Sequence, residues 1–253
     1  MSSMKSQRRE ARRMTRAKKQ QQGQERIVNE KLVEESNSKL SPILPKNDFQ
    51  NEVIKSLRSR KITVILGSAG VGKSFLAMTH AGDEQLNGKL KKIFLSRPAV
   101  GMGNTLGLLK GTMQDKYEPY LVPLIEVYKE RYGVGKYDTN ISSGNIELVP
   151  LEYLRGRNIN DGIALVDEAQ NTNPKEMKSI ITRVGETGSL VLLGDPSQSD
   201  IQGKNGLVWL AEFIEKHRLE DEIQIIHGSS DYIVRGGLCK RIVKALEKDG
   251  EDM

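Results

Sequence analysis

Eight residues, Gly67-Ser-Ala-Gly-Val-Gly-Lys-Ser74, have the types and the spacing of a loop that wraps phosphate. Gly-x4-Gly-Lys-Ser is the pattern of a Walker A loop. Its glycines permit a backbone that turns successive N–H groups toward phosphate oxygens. The helix expected to follow adds the positive end of its dipole. In such a loop Lys73 reaches the β- and γ-phosphates and Ser74 ligates Mg2+. Gly67, Ser68, Ala69, Gly70, Val71, Gly72 and Phe75 complete the stretch that would surround ATP. Further along, Gly162-Ile-Ala-Leu-Val166 ends in Asp167-Glu168, a Walker B arrangement. Asp167 there would hold Mg2+, directly or through water, and Glu168 would orient and deprotonate the attacking water. By itself the pair reads equally well as exposed turn acids; the upstream loop favours the catalytic reading. Asp195 and Gln198, in Gly194-Asp-Pro-Ser-Gln198, make a third polar cluster. Gln198 would touch the γ-phosphate or the lytic water; the alternative is a proline turn capped by aspartate.

These groups need a scaffold that brings them together. Ile62–Leu66, Lys92–Ser96, Gly162–Val166 and Ser189–Leu193 read as strands, nearly all apolar along their length, with shorter ones at Asn145–Val149 and Ile223–Ile226. Helices are expected at Asn47–Arg60 (capped by Asn47 or Asp48), Pro119–Tyr132, Pro174–Val184 and Leu238–Leu246, and a glycine-rich loop at Gly101–Gly111. Strands without alternation, separated by helices, predict an α/β fold of three layers: a mostly parallel sheet covered on both faces. Ligands bind such sheets beyond the carboxyl ends of the strands. The phosphate loop, Ser96-Arg97, Asp167-Glu168 and Asp195 all fall just there, so four strand ends are expected to share one crevice.

Charge divides the chain unevenly. Residues 1–20 carry eight cations against one acid, a net of +7, which leaves the remaining 233 residues at −1 of the total +6. Residues 1–40 read as a basic, disordered arm with a short polar helix, residues 41–248 as the folded domain, and residues 249–253 as an acidic tail. The arm either seeks nucleic-acid phosphate or is a solvated tail; it has no aromatic residue to stack on bases. Apolar runs are strand-sized and the N-terminus lacks an apolar signal core, so neither a membrane span nor a secretory leader is expected. A single cysteine, Cys239, set in an apolar helical pattern, fits a core position and a reducing, cytoplasmic location.

Beyond the loop, Ser96-Arg-Pro-Ala-Val100, Glu152-Tyr-Leu-Arg-Gly-Arg157, Asp167-Glu-Ala-Gln-Asn171, Thr182-Arg-Val-Gly185, Gly194-Asp-Pro-Ser-Gln198 and Ile233-Val-Arg235 follow one another in the order of the PhoH family, which the chain resembles over about residues 40–246. The resemblance implies a RecA-like P-loop NTPase domain, similar to the first such domain of superfamily 1 helicases. It further implies a cytosolic ATPase linked to single-stranded RNA and assembled as a homo-oligomer such as a hexameric ring. It assigns Gln50 to the adenine edge, where an amide can both donate and accept; otherwise Gln50 is a helix-surface residue. It places Arg97 on the nucleic-acid path, makes Arg155 and Arg157 a phosphate-gripping fork, and makes Arg183 and Arg235 candidates to neutralise the γ-phosphate in the transition state. The chain is too short for a second RecA-like domain, so the arginine is expected from the same domain or from a neighbouring subunit, the latter implying a head-to-tail ring. The family commonly has His-Pro after Ile-Val-Arg; this chain has Gly236-Gly237, so a more flexible segment is expected there. No nuclease domain is expected, residues 1–40 being poor in acids. The alternative to an RNA-remodelling ATPase is a nucleotide-switched binding module.

Overall fold

Apolar residues on both sides of the four inner strands force the sheet into the middle of the molecule. The computed structural model describes residues 40–98, 116–201 and 203–251, with residues 250 and 251 described by backbone only. The basic arm and the Gly101–Gly111 loop therefore lie outside the described residues. From Ile43 onward the chain forms one unit. Its strands are β1 (Ile62–Gly67), β2 (Lys92–Ser96), β3 (Ile146–Leu148), β4 (Gly162–Val166), β5 (Ser189–Gly194) and β6 (Ile223–Gly228). They form one sheet in the order β3-β2-β4-β5-β1-β6, with all five pairings parallel.

Eight α-helices are described: α1 (Asp48–Ser59), α2 (Lys73–Leu86), α3 (Val122–Tyr132), α4 (Val134–Ser142), α5 (Leu151–Leu154), α6 (Pro174–Ile181), α7 (Gly206–His217) and α8 (Gly237–Glu251). α1 to α4 bury Val53, Leu76, Met78, Leu124, Tyr128 and their neighbours against one face of the sheet, where Ile65, Leu95, Leu165 and Leu193 point. α5 to α7 cover the other face, packing Leu154, Met177, Ile180 and Leu210 onto Val64, Ala164, Val166 and Leu192. This is the expected three-layer, RecA-like α/β architecture, with β5 inserted between the strand of the phosphate loop and the strand of Asp167.

Local chemistry sets the element ends. Asn47 is the cap of α1, its side chain accepting from Gln50 N–H (2.9 Å). Asn173 and Glu176 form a reciprocal capping box on α6. The expected helix over Pro119–Tyr132 is a 3-10 turn (Glu118–Leu121) followed by α3, with Pro123 in its first turn. α6 stops at Ile181, because Val184 turns back to pair with Ile159. α8 runs on to Glu251, so residues 249–251, expected as a tail, are helical. α4, α5 and α7 occupy stretches to which the sequence reading assigns no element. α7 is nevertheless signalled by the Asn205 cap, which accepts from Val208 N–H, and by Leu207, Leu210 and Ile214 at helical spacing.

α2, the helix that carries Lys73, is fastened to α3. Arg131 donates two bonds to Asp83 (3.0 and 2.9 Å), and the Tyr132 hydroxyl donates to Asp83 (2.6 Å) or to the Thr79 carbonyl (2.9 Å). The Tyr132 ring lies so close to Gly82 that a Cβ there would sit 2.3 Å from a ring carbon. Gly82→Ala gains about 1 kcal/mol of helix propensity, but overpacking costs about 1–3 kcal/mol, and Tyr132 cannot swing aside without releasing its partners. The expected outcome in urea unfolding is a net loss of about 1–2 kcal/mol; equal or higher stability would contradict this packing.

Candidate functional site

The strand register brings the polar groups level. Leu66 pairs with Gly194, Gly67 with Gly228, and Ser96 with Val166, so the residues that follow each strand emerge along one edge. The phosphate loop leaves β1 there. Gly67, Gly70 and Gly72 all have positive φ (148°, 93° and 100°), which strains any residue with a Cβ. At Gly67 space forbids one as well: a Cβ would lie 2.2 Å from the Gly228 carbonyl oxygen. Val71 is fully buried, pinning the loop to the core, whereas Phe75 is exposed.

Lys73 opens α2 and folds back over the loop. Its ammonium donates to the Gly67 carbonyl and to the Ser68 carbonyl (3.2 Å). Burial pulls its pKa below the usual lysine value, and Asp195, Asp167 and Glu168 oppose that pull while Arg235 reinforces it. Asp167 is buried, and that burial, with Glu168 beside it, pushes its carboxyl above the usual range; Arg97 and Lys73 draw it back. Ala69, Lys73, Asp167, Glu168, Gly194, Asp195 and Gln198 line a small cavity of about 70 Å³. That is room for a phosphoryl group with its ion, not for a whole nucleotide. The Asp167 carboxylate that lines the cavity suits a hard cation such as Mg2+, which keeps waters and phosphate oxygens as other ligands, and Ser74 follows Lys73 in the first turn of α2. Among the described residues no group of three or more His, Cys, Asp or Glu could hold a metal.

Glu168 occupies the left-handed region (φ 52°, ψ 41°) although it has a side chain, at a cost of roughly 1–2 kcal/mol. Gln170 holds it there. This fully buried residue donates from Nε2 to Glu168 Oε2, lies 3.5 Å from the Gln198 carbonyl, and accepts through Oε1 from Asp195 N–H (3.1 Å). Asn171 adds a two-way bond with Asp200 (3.1 and 2.8 Å). The loops after β4 and β5 are thereby stapled together. Asp195 also caps Ser197 and accepts from Gln198 Nε2 (3.0 Å), so the capped proline turn and the polar cluster are the same structure. Sequence reasoning names the Asp-Glu-Ala-Gln-Asn segment without giving Gln170 a role.

The remaining assignments fare unequally. Gln50 is 4% exposed, not a helix-surface residue. Its Nε2 donates to the Val71 carbonyl (3.3 Å) and its Oε1 accepts from Lys46 N–H (2.9 Å), so the amide braces the phosphate loop. Arg235 is at the loop: its side-chain carbons would meet a Cβ on Gly70 at 3.1 Å, and Val234 N–H donates to the Gly70 carbonyl (3.1 Å). Gly236-Gly237 follows, with open space where side chains would stand. Arg97 bends inward, donating to the Tyr120 carbonyl (3.2 Å) and approaching Glu168 at 3.8 Å.

Arg155 and Arg157 do not form a fork. Arg155 pairs with Glu176 (2.9 Å) and braces the capping box, whereas Arg157 pairs with Glu147 on β3 (3.0 Å). Each satisfies its charge on a different element. Arg183 is not in its own chain's crevice. It precedes β5, donates to the Ser179 carbonyl (3.3 Å), and so sits at the amino edge of the sheet, about 15–20 Å from the loop, a strand's length away.

Fold and loop together define a P-loop nucleotide-binding domain of RecA-like type. A profile of the family described as PhoH-like protein matches residues 42–247, and the chain belongs to that family. The PhoH-like protein of Bacillus subtilis is 36% identical over 214 residues, covering 84% of this chain and 66% of that one. Protein PhoH of Escherichia coli K12 is 29% identical over 207 residues, covering 81% and 58%. The chain thus spans roughly three-fifths to two-thirds of the length of these relatives. Among solved structures it is similar to the large terminase of a thermophilic bacteriophage (TM-score 0.49, 12% identity, 77% of this chain and 48% of that). It is also similar to the UvsW helicase of bacteriophage T4 (TM-score 0.42, 14% identity, 79% and 67%). No helix of the described residues is long and apolar enough to cross a membrane.

Gln170→Leu would strand the Asp195 N–H and free Glu168. The expected loss is about 1–3 kcal/mol in chemical denaturation, the cost of an unsatisfied buried donor, while Gln198→Ala, on the exposed turn, changes stability by less than about 1 kcal/mol. Equal effects at the two positions would contradict the staple.

Proposed function

We propose that this protein is a Mg2+-dependent ATPase of the PhoH family, coupled to single-stranded RNA and acting as a homo-oligomer in the cytoplasm. The observation that carries the reading is Lys73, a half-buried cation that spends its donors on the carbonyls of its own loop while three carboxylates surround it. A triphosphate offers that ammonium better acceptors. Loop N–H groups from Gly67 to Ser74, with the α2 dipole, would receive the phosphates, and Ser74 and Asp167 would hold Mg2+, which neutralises phosphate charge when bound. Glu168, fixed by Gln170, would take the proton from water, and Gln198 would report the γ-phosphate through Asp195. Gln50 would favour adenine with the amide hydrogen and lone pair left after bracing the loop.

Two arginines could supply the transition-state charge. Arg235, packed on Gly70, supports supply within the chain; the position of Arg183 at the far edge of the sheet supports supply to a neighbour in a head-to-tail ring. Such a finger is worth about 10³–10⁵ in rate. RNA coupling draws its support from the basic arm and the family. Arg97 faces the carboxylates, and Arg155 and Arg157 must leave their ion pairs to meet phosphate.

Lys73→Ala is expected to abolish Mg·ATP binding, and Glu168→Gln to retain binding while lowering turnover by about 10²–10⁴. Mixing Lys73→Ala with Arg183→Ala subunits should restore turnover if the finger acts across an interface; no recovery, with mixed assembly verified, contradicts that role. Turnover measured with and without single-stranded RNA separates a remodelling ATPase, which RNA stimulates, from a nucleotide-switched binding module, which binds without productive turnover.

A further inference from the structure

Helix α8 is mounted the wrong way round for a helix of its composition. Lys240, Val243, Lys244 and Glu247 share the face turned to the protein, while Leu238, Ile242 and Leu246, at i, i+4 and i+8, are 64%, 50% and 64% exposed. An amphipathic helix ordinarily does the opposite. Polar contacts hold it instead. Lys240 donates to the Asp231 carbonyl, Lys244 pairs with the Asp231 carboxylate, and the Ser68 hydroxyl donates to Glu247 Oε1 (2.6 Å). The last contact sets a carboxylate on the phosphate loop itself. Hydroxyl bonds hold the Glu247 pKa below the usual range, so it is ionised near neutral pH. The helix is joined to the loop-bound Val234-Arg235 segment through Gly236-Gly237, around which a side chain would meet nothing within 4 Å.

We propose that α8 is a latch on the nucleotide site: Glu247 and a triphosphate compete for the same loop, and bound triphosphate expels Glu247 and swings α8 away about Gly236-Gly237. This rests on the ATP-binding reading of the loop. Glu247 and a phosphate are both anions that draw on the Ser68 end of the loop, so the carboxylate on the Ser68 hydroxyl and a γ-phosphate beside it compete for one place. The latch lowers affinity for triphosphate and makes the position of α8 a signal of what the loop holds.

Cys239, the chain's single cysteine, lies half-buried in α8 and serves as a native probe. The test follows its modification by a chromogenic disulfide reagent in the full chain, with Mg·ATP binding measured by calorimetry on the same samples. Saturating Mg·ATP is expected to accelerate modification several-fold. Glu247→Ala should do so without nucleotide, and Glu247→Gln, which keeps the shape and removes the charge, should tighten Mg·ATP binding several-fold. Glu247 is exposed, so both variants should keep the wild-type circular dichroism. Mg·ATP binding with unchanged Cys239 reactivity overturns the latch alone. Glu247 variants that match the wild type in both readouts overturn it as well. No Mg·ATP binding by the wild type overturns the ATP reading and the latch with it.

Discussion

A phosphate loop works only if its backbone is held in a shape that most residues refuse. Three positive-φ glycines supply the shape here, and the surroundings enforce it. Gly67 abuts the Gly228 carbonyl, Val71 is sunk in the core, Gln50 grips the Val71 carbonyl, and Val234 bonds Gly70. These contacts come from β6, α1 and the segment before α8, so distant parts of the chain must be in place before the loop is. Lys73 then completes it, bonded to loop carbonyls and faced by the acids that end β4 and β5.

The sheet explains why those acids are there. Because β5 runs between β1 and β4, Asp195 and Asp167 emerge beside the loop on successive strands. Gln170 ties the two strand ends together through its contacts with Glu168, Gln198 and Asp195. Glu168 keeps its left-handed backbone inside that stapled loop, with its carboxylate bonded by Gln170.

Much of this is legible in the sequence for a physical reason: continuous apolar strands and a glycine loop are local signals. All six strands lie where the apolar runs predict them, and the residues after β1, β2, β4 and β5 meet as the parallel sheet requires. What escapes is non-local. Nothing in the spacing of Arg155 and Arg157 says that Glu176 and Glu147 will claim them. Arg183 carries no mark that α6 returns it to the far edge of the sheet. Gln170 reads as a neighbour of the carboxylates, and only its burial exposes its three-way role. Glu247 lies 179 residues from Ser68 and meets it only because β6 and Ile233-Val-Arg235 bring α8 over the loop. α7 is the exception: its cap and its Leu207–Leu210–Ile214 spacing are local signals, enough to place a helix that the strand-centred reading leaves out.

Everything turns on where phosphate sits. The most direct measurement is an experimental structure of the full chain with Mg2+ and a non-hydrolysable ATP analogue. The expected result has the Lys73 ammonium transferred from the Gly67 and Ser68 carbonyls to phosphate oxygens, with the loop N–H groups from Gly70 to Ser74 on the same phosphates. An analogue bound away from the loop, with Lys73 still on those carbonyls, would contradict it.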